Sequence, residues 1–381
     1  MHCLIEGEIH MSQERARALI DLEALCHNYR LLDRIVAPKA KVMAVVKANA
    51  YGHGDGEVAC ALEAQGCQFF GVASIKEALR LRQHGMRASI LVFGIIDPQD
   101  ALSAAQNDII ITIQSSHEAE VLEALKIPLR AHIKVDTGMS RLGMACRQQA
   151  HIDTCLSDIR TITQFAHIHI EGIYTHFAEA ENEDTSFTRA QYARFSELIS
   201  LLEKSGMPRW VKHCCNSSAT LRFPEMHLDL VRSGIALYGY PQAPTTHQFL
   251  PVMTFKAKVV ALRELDPGES ISYGRTFIAT HKMKVATLAI GYADGLSRSL
   301  SNRFALWYNG HAVNIVGTIC MDMTLVDVTN INLSIGDEVE VFGAHRPISE
   351  VSKAMQTIDY EVLTSVSHRP DRVIVPTDES V

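Results

Sequence analysis

Five short stretches of this chain carry residues suited to one kind of chemistry. The first, AVVKANAYGHG (44–54), places Lys47 where a β-branched apolar run meets small residues and the turn signals Gly52 and Gly54. That is a costly place for an ammonium group with neither task nor partner. Asn49 and Tyr51 follow it. The second stretch brings Lys134, Asp136-Thr137-Gly138 and Arg141, and the third Thr175-His176. The fourth holds Asn216-Ser217-Ser218, and the fifth Arg232-Ser233-Gly234-Ile235. An amine, a set of hydroxyl and backbone donors, and a guanidinium match the needs of pyridoxal phosphate. That cofactor takes an amine at its aldehyde, donors at its phosphate and a partner at its ring nitrogen. Taken singly, each stretch has a plainer reading: Lys47 snorkels to a strand rim, while Ser217 and Gly234 cap a helix and make a turn.

Such residues are useful only if the fold brings them to one place. Each follows or ends one of eight apolar, β-rich runs: 41–46, 69–73, 89–93, 108–113, 130–135, 168–175, 210–213 and 228–231. Segments with apolar residues at helical spacing lie between them, notably 55–65, 75–84, 116–125 and 188–204. Eight strands alternating with helices are the count of a (β/α)8 TIM-type barrel, whose chemistry gathers at the C-terminal strand ends. An open, doubly wound sheet is the competing arrangement. After Tyr240 the helical spacing fades, and β-rich runs at 255–262, 284–290, 312–316, 323–328 and 338–342 are parted by turn signals such as Tyr308-Asn309-Gly310. One helix, about 348–355, interrupts them. The expectation is a barrel over 12–242, a mostly-β C-terminal domain over 243–381, and an extension over 1–11.

Composition narrows the class. With 47% hydrophobic and 21% charged residues, the chain of 381 residues reads as an ordinary globular protein. A net charge of -7 gives no support to nucleic-acid or membrane-surface binding. No apolar run reaches the about 18–20 residues a bilayer span needs. The opening MHCLIEGEIH lacks the basic and apolar regions of a secretory signal, so a cytoplasmic location is expected. Nine cysteines without a C-x-x-C pair read as reduced thiols, and the alternating His167 and His169 lack the companions of a metal site.

The motifs around these residues resemble those of the alanine racemases, fold-type III pyridoxal-phosphate enzymes made of a barrel and a β-domain. AVVKANAYGHG is similar to the family's cofactor-lysine signature. The likeness continues through KVDTGMSRLG (134–143), EGIYTHFA (171–178), HCCNSSAT (213–220), VRSGIALYG (231–239), SYG (272–274), AIGYADG (289–295), CMDM (320–323) and YEV (360–362). The resemblance implies that Lys47 takes the cofactor's aldehyde and later serves as one acid/base. It implies that Tyr51, Ser217, Gly234, Ile235 and Tyr360 hold the phosphate, and that Arg232 donates to the pyridine nitrogen. Racemisation moves protons on opposite faces of Cα, and Tyr273 matches the family's second base, supplied by the other subunit of a homodimer. His176 matches its hydrogen-bonding partner. Arg141 would contact the cofactor's phenolic oxygen and the substrate carboxylate, and Met321, chiefly through its backbone amide, and Asp322 would complete the substrate end from the partner subunit. Lys134 matches a lysine that is often carbamylated.

Three departures stand out: the likeness begins only after Met11, Thr318 occupies a position where many relatives carry arginine, and SVSHRPDRVIV is a loose version of the closing segment. The implied function is interconversion of L- and D-alanine, feeding peptidoglycan synthesis. The alternatives are a racemase of broader or different specificity, acting on serine or lysine, and a non-catalytic pyridoxal-phosphate-binding protein. The β-domain with Tyr273, Met321 and Asp322 speaks against the latter.

Overall fold

The computed structural model describes residues 15–375. They form two compact units, Asp21–Val252 and a second in which the strand Ala16–Ile20 joins Met253–Val375. The first unit is a closed barrel of eight parallel strands. Lys41–Val45 pairs with Phe69–Val72 on one side and Leu230–Ser233 on the other. The ring continues through Ser89–Val92, Ile109–Ile113, Leu129–Asp136, Ile168–Tyr174 and Val211–His213. Pairing of Ile109–Ile113 with Leu129–Asp136 closes it and excludes the open sheet. Strands covered on both faces need near-continuous apolar sequence, and IIITI is buried at every position.

The helices expected between the strands form as Asp55–Ala64, Ile75–Gln83, Ser116–Glu123 and Ser186–Lys204. Two of their starts are set by side-chain caps: Ser115 accepts from the Glu118 amide at 3.1 Å, and Ser74 from that of Glu77 at 3.3 Å. The eighth strand differs from its expected span. It runs Leu230–Ser233, with Leu228 in a left-handed turn at φ 56°, so Arg232 lies within the strand, paired with Met43, rather than in the loop after it. A buried arginine looks foreign to a strand pattern until its acceptors are known.

The second unit is built on the long strand Met253–Leu265. It pairs antiparallel with Ala16–Ile20, Glu338–Phe342 and Met283–Leu288. Ala16–Ile20 also pairs in parallel with Asp371–Ile374. The strand therefore belongs to the β-rich unit and not to the barrel, contrary to a division at 12–242 and 243–381. A reading that follows chain order cannot see a strand supplied from the other end, although Ala16, Ala18 and Ile20 bury in the alternating pattern of a sheet with one covered face. The proposed extension 1–11 lies outside the described residues.

The Asn309-Gly310 turn closes a hairpin between Ala305–Tyr308 and His311–Asn314, with φ of 42° and 86° as a primed turn requires. The helix Ile348–Met355 is joined by a second, Asp359–Ser365, too short for its periodicity to be read. No helix among the described residues is long and apolar enough to cross a membrane. The eight described cysteines are all free, and the Cys214 and Cys215 thiols donate to the Met226 carbonyl at 3.1 and 3.2 Å.

Candidate active site

Lys47 leaves the first barrel strand half-buried and enters a left-handed helical turn. Ala48, Asn49, Ala50 and Tyr51 have φ of 53°, 56°, 51° and 53°, followed by Gly52 at 87°. Four non-glycine residues in this region are a strained arrangement, which local hydrogen bonds must hold. The Ala50 amide reaches the Val46 carbonyl at 2.9 Å, Gly52 that of Ala48 at 3.0 Å, and the Asn49 side chain accepts from the Asp55 amide at 3.0 Å. His53 Nδ1 lies 2.9 Å from the Ala50 carbonyl, and its ring stacks on Tyr238 at 4.4 Å. The Ala48 amide donates to Glu77 Oε1 at 2.8 Å. Burial and the nearby Arg141 cation push the Lys47 ammonium below its usual range, with Glu77 acting in the opposite sense.

Arg232 is buried and has no carboxylate among its partners. One terminal nitrogen donates to His213 Nδ1 at 2.9 Å. The other donates to the carbonyls of Thr175 and Cys214 at 2.8 and 2.9 Å and to His176 Nδ1 at 3.1 Å. An arginine only donates, so both imidazoles accept at Nδ1 and carry their proton on Nε2. His213 Nε2 in turn lies 3.0 Å from His132 Nδ1. Burial first, then the Arg232 charge, holds His176 and His213 well below the usual histidine range. Burial lowers His132 to about 4. Tyr174 stacks on His213 at 4.7 Å, and the Arg232 guanidinium lies over its ring at 5.3 Å.

Lys134 is buried in the strand that leads to the Arg141 loop and lies over the Tyr174 ring at 5.6 Å. Burial, Arg141 and Arg232 lower it to about 8. Asp136 shapes that loop by accepting the Gly138 and Ser140 amides at 3.1 and 2.9 Å. Arg141 is exposed and forms no ion pair among the described residues, leaving its guanidinium open to an anion.

A cluster of hydroxyl and amide groups forms where the last two strands end. Asn216, not Ser217, caps the helix Ser217–Arg222, accepting from Ala219 at 2.9 Å. The Ser217 hydroxyl is thus spared for another task. It accepts the Gly234 amide at 3.0 Å and that of Ala236 at 3.4 Å, so its own proton is left to donate, to Ser233 Oγ at 3.5 Å or to an anion. Gly234 and Ile235 open a series of tight turns, as at a helix start; the Gly234 amide is taken by Ser217, while that of Ile235 has no acceptor among the described residues. A Cβ at Gly234 would meet the Tyr51 hydroxyl at 2.4 Å, so only glycine admits that hydroxyl to the cluster.

Tyr273, Met321, Asp322 and Tyr360 lie in the β-rich unit. Tyr273 opens a single 3-10 turn behind Ser272, whose φ is 61°. Thr318 holds that turn: its hydroxyl donates to the Tyr273 carbonyl at 2.9 Å, and its carbonyl accepts from the Ser272 hydroxyl at 2.5 Å. Thr318 is therefore a strap on the Tyr273 turn. The exposed Met321 follows Cys320, whose thiol lies 3.4 Å from the Ser272 hydroxyl. Asp322 pairs with Arg369 at 2.8 Å. Tyr360 is half-buried on the helix Asp359–Ser365. Sequence reasoning passed over His132, His213 and Glu77. The Ser74-x-x-Glu77 spacing announces a capping box, but nothing announces the second task of Glu77 at Ala48.

Two family models match, "Alanine racemase, N-terminal domain" over residues 20–242 and "Alanine racemase, C-terminal domain" over 252–374. The chain belongs to the alanine racemase family. The alanine racemase of Methanococcus maripaludis is 40% identical over 369 residues, which cover 93% of this chain and 97% of its own length. Among solved structures, the alanine racemase of Clostridium difficile 630 superposes with a TM-score of 0.91 at 32% identity, covering 97% of both chains. That of Bartonella henselae, solved with covalently bound pyridoxal phosphate, gives 0.85 at 34% identity, covering 95% of this chain and 99% of its own. The barrel and β-rich units are thus those of an alanine racemase.

Proposed function

We propose that the chain is a pyridoxal-phosphate-dependent alanine racemase that interconverts L- and D-alanine by two bases on opposite faces of the substrate. The residues present fit the cofactor. Lys47 is an amine whose proton is held less tightly than usual, Ser217, Gly234, the Ile235 amide and Tyr51 offer a cradle that a Cβ would fill, and Arg232 is a buried donor without a carboxylate. When bound, the cofactor supplies an aldehyde that captures amines and a ring that takes up the electron pair left when the α-proton departs.

Arg232 stays protonated, so the ring nitrogen it faces stays unprotonated and is a weaker electron sink. This limits side reactions that need a long-lived carbanion. Lys47 holds or moves the proton on one face through Nζ, and Tyr273 through its hydroxyl on the other. Tyr273 is 71% exposed within its own chain, too open to act as a base shielded from water there. That exposure supports a homodimer in which Tyr273 of the partner subunit completes each site. The His176 Nε2–H is then available to donate to the phenolic oxygen. Arg141 fits the substrate carboxylate and the cofactor's phenolic oxygen, and in the homodimer Met321 and Asp322 of the partner subunit would complete the substrate end. A carbamate on Lys134 would put an anion between Arg141 and Arg232. The product would feed peptidoglycan synthesis in the cytoplasm.

The observation that carries this reading is the buried Arg232 held entirely by neutral acceptors. The test is a chiral assay of purified protein with L-alanine, L-serine and L-lysine. Production of D-alanine is the expected outcome, and turnover of lysine without alanine would overturn the substrate. A Tyr273→Phe variant that racemises alanine at full rate in both directions would overturn the two-base assignment.

A further inference from the structure

We infer that Glu77 is a positioning residue for Lys47, its carboxylate clamping the left-handed turn that aims the lysine. Oε1 accepts the Ala48 amide at 2.8 Å, and Oε2 accepts those of Ala73 and Ser74 at 2.7 and 3.3 Å. One carboxylate thereby ties the end of the first barrel strand to the loop after the second. Ala48 begins a helical turn, where an amide has no partner within the turn itself. The residue four positions earlier, Ala44, is engaged in the barrel sheet. Glu77 supplies the missing acceptor, next to the residue whose side chain must be directed.

The clamp is itself fixed. Glu77 is the third residue of the helix Ile75–Gln83, and Ser74 accepts its amide in return, so the carboxylate sits at the positive end of that helix. A glutamine there would offer one acceptor oxygen and turn its amide donor toward amides, so one of the two ties must break. A cap alone would require no bond to Ala48. Fixing Ala48 restricts the backbone from which Lys47 projects, while the Glu77 charge also counters the lowering of the ammonium by burial and Arg141.

The inference rests on Lys47 being the cofactor lysine. It is tested on the intact chain by comparing Glu77→Gln and Glu77→Asp with Ser74→Ala, which weakens the same cap but leaves Glu77 free to reach Ala48. Amide hydrogen exchange across 47–52 is expected to quicken about tenfold in both Glu77 variants, the factor that about 1.4 kcal/mol makes, and to stay near the parent rate in Ser74→Ala. Pyridoxal phosphate, titrated onto the cofactor-free protein and followed by its visible absorbance, is expected to bind about tenfold more weakly in the Glu77 variants alone. The kcat for alanine should fall in both directions with KM little changed. Glu77 variants that match Ser74→Ala in exchange and in cofactor affinity would overturn the inference. Failure of the unsubstituted chain to bind pyridoxal phosphate would overturn the reading of Lys47 instead, and the exchange result would still decide whether Glu77 holds the turn.

Discussion

Acid should destabilise the barrel through a histidine that the reaction never touches. His132 is 3% exposed, and burial holds its pKa at about 4 against an ordinary 6.5. The Arg130 and Arg232 charges add to the lowering, while Glu171 opposes it. Its folded pKa lies below its unfolded one, so between the two the unfolded chain binds a proton that the folded chain refuses. Stability falls as pH drops through 6.5, and the loss is complete below 4. Over the whole window this amounts to about 3 kcal/mol, and between pH 7 and 4.5 to about 2 kcal/mol.

His176 and His213, also held below the usual histidine range by burial, add to the loss in acid, so the His132 share must be isolated by difference. In His132→Asn the amide oxygen replaces Nδ1 as acceptor for His213 Nε2–H and nothing titrates. The variant is expected to stay within about 1 kcal/mol of the parent at pH 7. It should then lose about 2 kcal/mol less than the parent on acidification to pH 4.5. Urea unfolding of both chains at the two pH values, followed by circular dichroism, measures this. Equal losses would refute a His132 held neutral by burial.

Four other outcomes follow from the geometry. Gly234→Ala places a methyl 2.4 Å from the Tyr51 hydroxyl and should weaken pyridoxal phosphate at least tenfold in a titration of the cofactor-free protein. Gly172→Ala drives a methyl to 2.5 Å from the His132 ring, where overpacking costs about 1–3 kcal/mol in urea unfolding. Thr318→Val removes the hydroxyl that holds the Tyr273 carbonyl, and alanine assays should show kcat lowered several-fold with cofactor affinity unchanged. Lys134, with its pKa lowered to about 8, should carry a carbamate; native mass spectrometry is expected to find the added mass of one CO2, and a free amine would refute it.

The parallel strands were legible in the sequence because strands covered on both faces must be apolar throughout, as Ile109–Ile113 is. Their closure into a barrel was not, since an open sheet asks for the same apolar runs. Lys47, Arg141, Ser217 and Arg232 were legible for the opposite reason, being polar residues where such strands end. The strand Ala16–Ile20 was not, since its partners are remote in sequence, and neither was the placement of Arg232 inside its strand. A charge in a strand is explained only by acceptors that arrive from elsewhere in the chain. Here they are His213, His176 and two backbone carbonyls. The role of Glu77 at Ala48 was hidden likewise, because periodicity reports which face a residue takes and not which amide it reaches.

The neutral surroundings of Arg232 bear on the direction of proton flow. A buried arginine paired with a carboxylate would lose much of its field; held by imidazoles and carbonyls, it keeps a full positive charge close to His176. That charge and burial keep His176 neutral, and the bond from Arg232 to Nδ1 fixes its proton on Nε2. A histidine so arranged can donate to a phenolate but has no lone pair left to take a proton from a phenol. On the two-base reading, His176 therefore stabilises the deprotonated form of Tyr273 without relaying its proton. The proton that Tyr273 collects from the substrate must return to substrate or leave through solvent, and it cannot be stored on the histidine. His176→Gln, whose side-chain amide can still donate, should therefore keep more of the D-to-L and L-to-D rates than His176→Leu. Equal loss in both variants would mean that the histidine does more than donate.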